Sequence, residues 1–169
     1  GISKLTIEKH LFLYKRLHGL DYCILRLSNP YGERQRVTAA QGAVSVFLYK
    51  ALHDEEIEIW GDGSVVRDYM YVGDAVDAMI KAIDYNGDVR TFNIGSGQGY
   101  SLHDLLEEIE KLLGRPVKRR HTAARPLDVP VNILNIERAK KHLQWLPELT
   151  LRQGLERTID WLKSINPEV

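Results

Sequence analysis

One stretch limits the folds open to this chain more than any other: the run YCILRL at Tyr22–Leu27, stopped by Asn29, Pro30 and Gly32. A nearly unbroken apolar strand bounded by turn-forming residues is the profile of a strand covered on both faces, as inside a parallel sheet. Helical patterns flank it on both sides. From Ser3 to His18, the residues Leu5, Ile7, Leu11, Phe12, Tyr14 and Leu17 spread around more than one stripe. That spread predicts a helix covered on two sides, with Gly19 as its C-terminal stop. After a polar loop, GAVSVFLYKAL is a second helix.

The alternation continues downstream. EIEIWGDG reads as a strand broken at Gly61-Asp62-Gly63, VVRDYMYV is again extended, and Asp74 is placed to cap the helix AVDAMIKAI. TFNIGSG is a short strand. Ser101 and Asp104 form a capping-box signature for a helix carrying Leu102, Leu105, Leu106, Ile109, Leu112 and Leu113, ended by Gly114 and Pro116. Two more helices follow Asn135 and Thr150, the last with Leu151, Leu155, Ile159 and Leu162 inward. The class is therefore α/β. No Gly-rich loop joins a strand to a helix in a way that would cradle a dinucleotide phosphate.

Composition removes several function classes. The 23 basic and 23 acidic residues cancel, leaving no overall field to draw in nucleic acid or an anionic membrane. No apolar run approaches the roughly 18 residues of a spanning helix. A single cysteine, Cys23, excludes an internal disulfide and favours a reducing, cytoplasmic setting; inside YCILRL it reads as a buried structural thiol. The six histidines include no pair at metal-ligand spacing on a helix face, so no metal site is expected.

RLSNPYG, GDGSVVRDYMYVGDAVDA, FNIGSG, RPLDVP and LQWLP, in that order and spacing, resemble the extended short-chain dehydrogenases that act on nucleotide sugars. This is the NAD-dependent epimerase/dehydratase family, with UDP-glucose 4-epimerases as the nearest match, and the likeness runs from Gly1 to about Lys163. It implies the C-terminal part of a Rossmann-type enzyme plus its small mixed α/β substrate-binding domain. Residues 1–35 would be a remnant of the NAD-binding domain and 36–169 the nucleotide-sugar domain, with the chain returning to the Rossmann side near 72–98.

The family's catalytic pair is Tyr-x-x-x-Lys on one helix. GISK matches its last four positions, so the resemblance implies Lys4 as the catalytic and cofactor-binding lysine, with a tyrosine immediately before Gly1. Residues four apart share a helix face, so the ammonium would hold the ribose of NAD and lower the tyrosine pKa from its usual value of about 10. In the family reaction the phenolate takes the proton of the sugar 4-hydroxyl as the C4 hydride moves to NAD. The 4-keto sugar then turns and takes the hydride back on its other face.

The same resemblance assigns the rest of the site. Arg67 aligns with the family's diphosphate arginine, Arg125 with a second phosphate contact and Asp128 with a ribose acceptor. Glu58 and Trp60 would present their backbone to the uracil edge, the Trp60 ring being read equally as a neighbour of the base and as a core tryptophan. Amides of Gly42 and Ala43 would meet the diphosphate at a positive helix end. Asn29 would touch the substrate phosphate or sugar, and the backbone at Ser28 and Pro30 would meet the nicotinamide amide, while Asn29-Pro30 also reads as a strand-ending turn. Asn132 falls where hexose-restricted epimerases carry tyrosine and permissive ones a small residue; it is intermediate.

The expectation is the C-terminal portion of an NAD-dependent UDP-hexose 4-epimerase interconverting UDP-glucose and UDP-galactose, or their N-acetyl forms. A nucleotide-sugar 4,6-dehydratase or reductase of the same superfamily is the alternative, and a non-catalytic UDP-sugar-binding or dimerisation module is a third. By itself the chain is expected to run no turnover and to self-associate, as a homodimer, through the apolar sides of YCILRL and the first helix.

Overall fold

The computed structural model describes residues 1–36, 42–124 and 128–165. Helix α1 (Ile2–His18) ends at Gly19, whose φ of 69° suits a residue without Cβ and turns its N–H onto Lys15 O. The expected strand runs in two pieces, β1 (Ile24–Leu27) and β2 (Asn29–Tyr31). Then come α2 (Ala43–Leu52), β3 (Ile57–Trp60), β4 (Val66–Arg67) and β5 (Tyr69–Tyr71), which passes directly into α3 (Val72–Ile83). β6 (Thr91–Ile94) and β7 (Tyr100–Ser101) precede α4 (Leu102–Leu113), whose Ser101–Asp104 capping box forms as its sequence predicts. β8 (Arg119–Thr122), β9 (Val131–Asn132), a π-helical turn (Ala139–Leu143) and α5 (Leu151–Ile165) complete the order.

Ser28 is where the chain changes partners. β1 pairs in parallel with β6, whereas β2 pairs in parallel with β5. At the junction Ser28 N–H donates to Ile94 O at 2.8 Å and Asn29 N–H to Asp68 O at 3.0 Å. Asn29 and Pro30 therefore do not end the strand, as their residue types suggest; they carry it to a second ladder, short enough to tolerate proline's missing donor. Elsewhere β3 pairs in parallel with β8, and β4 lies between β7 and β9. One core joins α2, α4 and α5 around Tyr31, Phe47, Leu105 and Leu155, and a second joins α3, β6 and the π turn around Phe92, Ile94 and Trp145.

Two further expectations are corrected. No residue of α1 is fully buried: one stripe, Glu8, Leu11 and Lys15, is partly covered, while Leu5, Ile7, Phe12 and Leu17 face outward. Ion pairs from Glu8 to Arg26 (2.6 Å) and from Lys15 to Asp21 (2.7 Å) tether it instead. Asp74 caps nothing, because α3 starts at Val72; its buried carboxylate reaches across to the N–H groups of Glu148 (3.1 Å) and Leu149 (3.4 Å). The helix expected after Asn135 does form, from Glu137, and winds as a π turn over Ala139–Leu143 that buries Ala139 and Leu143 together. Cys23 is half-buried, with burial raising its thiol pKa.

Candidate functional site

β4 is two residues long, yet it organises the site. In the β4–β9 ladder Val66 lies opposite Val131 and Arg67 opposite Asn132. Cross-strand partners share a face and neighbours alternate, so Arg67 and Asn132 project from one face and the valines from the other. The Arg67 side chain is only 18% exposed. Its Nη1 donates to Val66 O (2.8 Å) and Val129 O (2.6 Å), and Nη2 stands 3.7 Å from Asp128 Oδ1. Two of the five guanidinium donors thus fix the fork in place, a cation oriented before any anion arrives. The structure brings together Arg67, Asp128 and Asn132; Arg125 lies outside the described residues.

Between β4 and β5 sits Asp68, which the sequence reading missed. It is 1% exposed. Oδ1 accepts from Ser96 N–H and Ser96 Oγ–H, both at 2.7 Å, and Oδ2 from the N–H groups of Gly97 and Leu134, both at 3.2 Å. Its own N–H donates to Asn132 O at 3.1 Å, and its carbonyl accepts from Asn29. A carboxylate set among apolar and aromatic residues in VVRDYMYV was the signal available, since a buried carboxylate has to be satisfied.

Ser28, at the carboxyl ends of β1 and β6, occupies the place where the ladders diverge, and open α/β sheets bind ligands at such switch points. Its Oγ is buried and has no hydrogen-bond partner among the described residues. Gly95 leaves it room: a Cβ there would lie 2.5 Å from Asp68 Oδ2 and 3.1 Å from Ser28 Cβ. Lys4 is exposed on the first turn of α1, and its side chain makes no hydrogen bond or ion pair among the described residues. The Glu8–Arg26 and Lys15–Asp21 pairs show that α1 runs antiparallel to β1. From Glu8, four residues back along the helix advance about 6 Å, and from Arg26 two residues forward along the strand advance about 6.6 Å. Lys4 and Ser28 therefore lie toward the same end of β1.

Gly42 opens α2 at φ 83°, and the Gln35 amide nitrogen would be 2.5 Å from a Cβ at that position. Gln35 Oε1 also accepts from Ser45 Oγ, so one side chain holds the first turn, with Ala43 its first residue. On β3, Glu58 and Trp60 face the same side. The indole donates to Glu58 Oε1 at 3.0 Å and Arg120 to Oε2 at 3.1 Å, and these bonds hold the Glu58 carboxyl below its usual range, the indole contributing most. Trp60 is 40% exposed, which removes the reading of it as a core tryptophan. A separate cavity of about 440 Å³ opens beside the starts of α4 and α5, lined by Tyr100, Asp104, Glu107, Glu108 and Arg152. None of the expected site residues lines it, and its three carboxylates oppose a diphosphate.

Residues 1–95 match the model of the NAD dependent epimerase/dehydratase family. The chain belongs to that family. A UDP-glucose 4-epimerase from Thermotoga maritima, crystallised with UDP-glucose, has a TM-score of 0.93 and 36% identity to this family member, over 98% of this chain and 53% of that one. UDP-glucuronic acid 4-epimerase from Bacillus cereus, in complex with UDP-glucuronic acid and NAD, has a TM-score of 0.89 at 26% identity, over 97% of this chain and 52% of that one. The dTDP-4-dehydro-6-deoxyglucose reductase of Escherichia coli is 39% identical over 162 residues, 94% of this chain and 50% of that protein. The chain spans about half the length of these relatives. Its fold is accordingly that of the Rossmann-type extended short-chain dehydrogenases. No helix among the described residues is long and apolar enough to cross a membrane.

Proposed function

We propose that these residues carry the lysine and the nucleotide-sugar-binding part of an NAD-dependent UDP-hexose 4-epimerase. The observation that carries this reading is the face formed by Arg67, Asp128 and Asn132, with its guanidinium already fixed. Arg67 and Arg125 would take the diphosphate together with the Gly42 and Ala43 amides, and Asp128 the ribose. The uracil would lie along the backbone of Glu58 and Trp60, whose exposed ring offers it a face. Asn29 would touch the sugar, and Asn132 would shape the space around it. Residues present fit NAD: the orphaned Ser28 hydroxyl beside Pro30 suits the nicotinamide amide, and Lys4 the ribose. Bound there, NAD would supply a hydride acceptor and donor for sugar C4. Lys4 contributes a positive charge that stabilises a phenolate base.

The division into residues 1–35 with 72–98 on the cofactor side and the remainder on the substrate side is part of this reading; the core around Phe92 also takes in Ala139, Leu143 and Trp145 from the remainder. So is self-association through the outward residues of α1, which a monomeric sedimentation profile at high concentration would contradict. The E. coli reductase at 39% identity favours one alternative, a nucleotide-sugar reductase. Epimerisation leaves the nicotinamide redox state unchanged, whereas a reductase consumes reduced cofactor with each keto sugar. Calorimetry with UDP tests the binding claim: the wild type binds, and the Arg67→Ala, Arg125→Ala double variant loses the heat. Equal heats from both proteins overturn the assignment of the arginines.

A further inference from the structure

Asp68 touches both sides of the proposed site, and neither the diphosphate nor the cofactor contacts use it. Its two oxygens serve different segments. Oδ1 holds Ser96, two residues past Ile94, whose carbonyl bonds Ser28; Oδ2 bridges Gly97 and Leu134, the latter two residues past Asn132. Its main chain adds bonds to Asn29 and Asn132. Four donors meet the four lone-pair sites of a carboxylate, an arrangement that only an ionised acid satisfies completely.

We propose that Asp68 is a positioning residue for nucleotide binding. It holds the Arg67–Asn132 face in register with the switch point at Ser28, so that UDP affinity depends on a carboxylate that UDP does not touch. The inference rests on reading that face as the UDP site. An amide in place of the acid keeps one pair of bonds and loses the other. With its oxygen on Ser96, where the bonds are shorter, the amide NH2 meets the N–H groups of Gly97 and Leu134 donor to donor. The β9 segment, with the Val129 carbonyl that anchors Arg67 and with Asn132 opposite it, is then released from the Ser96–Gly97 loop, and the guanidinium loses its fixed position.

A double-mutant cycle separates positioning from general loss of stability. UDP is titrated calorimetrically into the wild type, Asp68→Asn, Arg67→Ala and the double variant, each confirmed as folded by circular dichroism. Asp68→Asn is expected to bind about tenfold more weakly, and the double variant to fall no more than about twofold below Arg67→Ala, because coupled sites are non-additive. Additive losses, or unchanged affinity in Asp68→Asn, overturn the inference. Unchanged affinity in Arg67→Ala, or no binding by the wild type, overturns instead the reading of the face beneath it. Should Asp68→Asn not fold, Ser96→Ala enters the same cycle. It removes one donor to Oδ1 and the acceptor of the Gln98 N–H, and leaves the three backbone N–H donors to Asp68 in place. A loss of about threefold that vanishes in the Arg67→Ala background supports the proposal, and an additive or absent loss refutes it.

Discussion

Replacing Gly154 by alanine tests the packing beneath the strand that presents Asn29 and Pro30. That strand ends at Tyr31, 2% exposed, whose Oη–H donates to Leu151 O at 3.0 Å and packs against Gly154 on α5. A Cβ on residue 154 would overlap the Tyr31 hydroxyl and stand 2.9 Å from Cζ and 3.2 Å from Cε2. Helix propensity alone would favour alanine by about 1 kcal/mol. Against it stand an overpacking cost of about 1–3 kcal/mol and the loss of a buried hydrogen bond, about 1–2 kcal/mol. Gly154→Ala is therefore expected to destabilise by about 1–4 kcal/mol, and Tyr31→Phe by about 1–2 kcal/mol. The double variant should cost at least about 1 kcal/mol less than their sum, since the hydroxyl is removed once and takes the worst overlap with it. Urea unfolding of the four proteins gives the comparison. A stabilising Gly154→Ala, or additivity within about 0.5 kcal/mol, would refute the reasoning.

Three other outcomes follow from the same contacts. Ser101→Ala removes the N-cap of α4 and should lower stability by about 1 kcal/mol in a thermal melt. Asp74→Ala strands the N–H groups of Glu148 and Leu149 and should cost about 2–3 kcal/mol, seen as a lower urea midpoint monitored by tryptophan fluorescence. Glu8 beside Arg26, Asp54 beside Lys118 and Asp104 beside Ser101 all have lowered carboxyl pKa values. Their contribution is present above the unfolded value of about 4 and fades as pH falls through the lower folded values. The urea midpoint should therefore hold between about pH 7 and 5 and decline below about pH 4; a midpoint that rises on acidification contradicts this.

Local chemistry made part of this fold readable. The α4 helix carried both its apolar spacing and its cap in sequence, and both formed. Asn29-Pro30 misled because turn-forming residues also serve where a strand changes ladder, and the second partner, β5, lies some forty residues downstream. β8 escaped notice because RRHT is polar and exposed; its structure comes from pairing with β3 and from ion pairs of Arg119 with Glu110 and Arg120 with Glu56, none of which is local. Asp74 was assigned to the nearest helix end, whereas its partners lie more than seventy residues away. In the proposed site, Arg67, Asp128 and Asn132 could be named through their resemblance to the family's motifs. Asp68, their neighbour, needed the fold, because its partners belong to the two loops after β6 and β9.

Amide shifts on titration of UDP into the isotope-labelled protein test the central claim most directly. The perturbed amides are expected to cluster at Arg67, Asp128 and Asn132, with Gly42 and Ala43 at the start of α2. Shifts confined to the acidic cavity beside Glu107 and Glu108, or none at millimolar UDP, would contradict it.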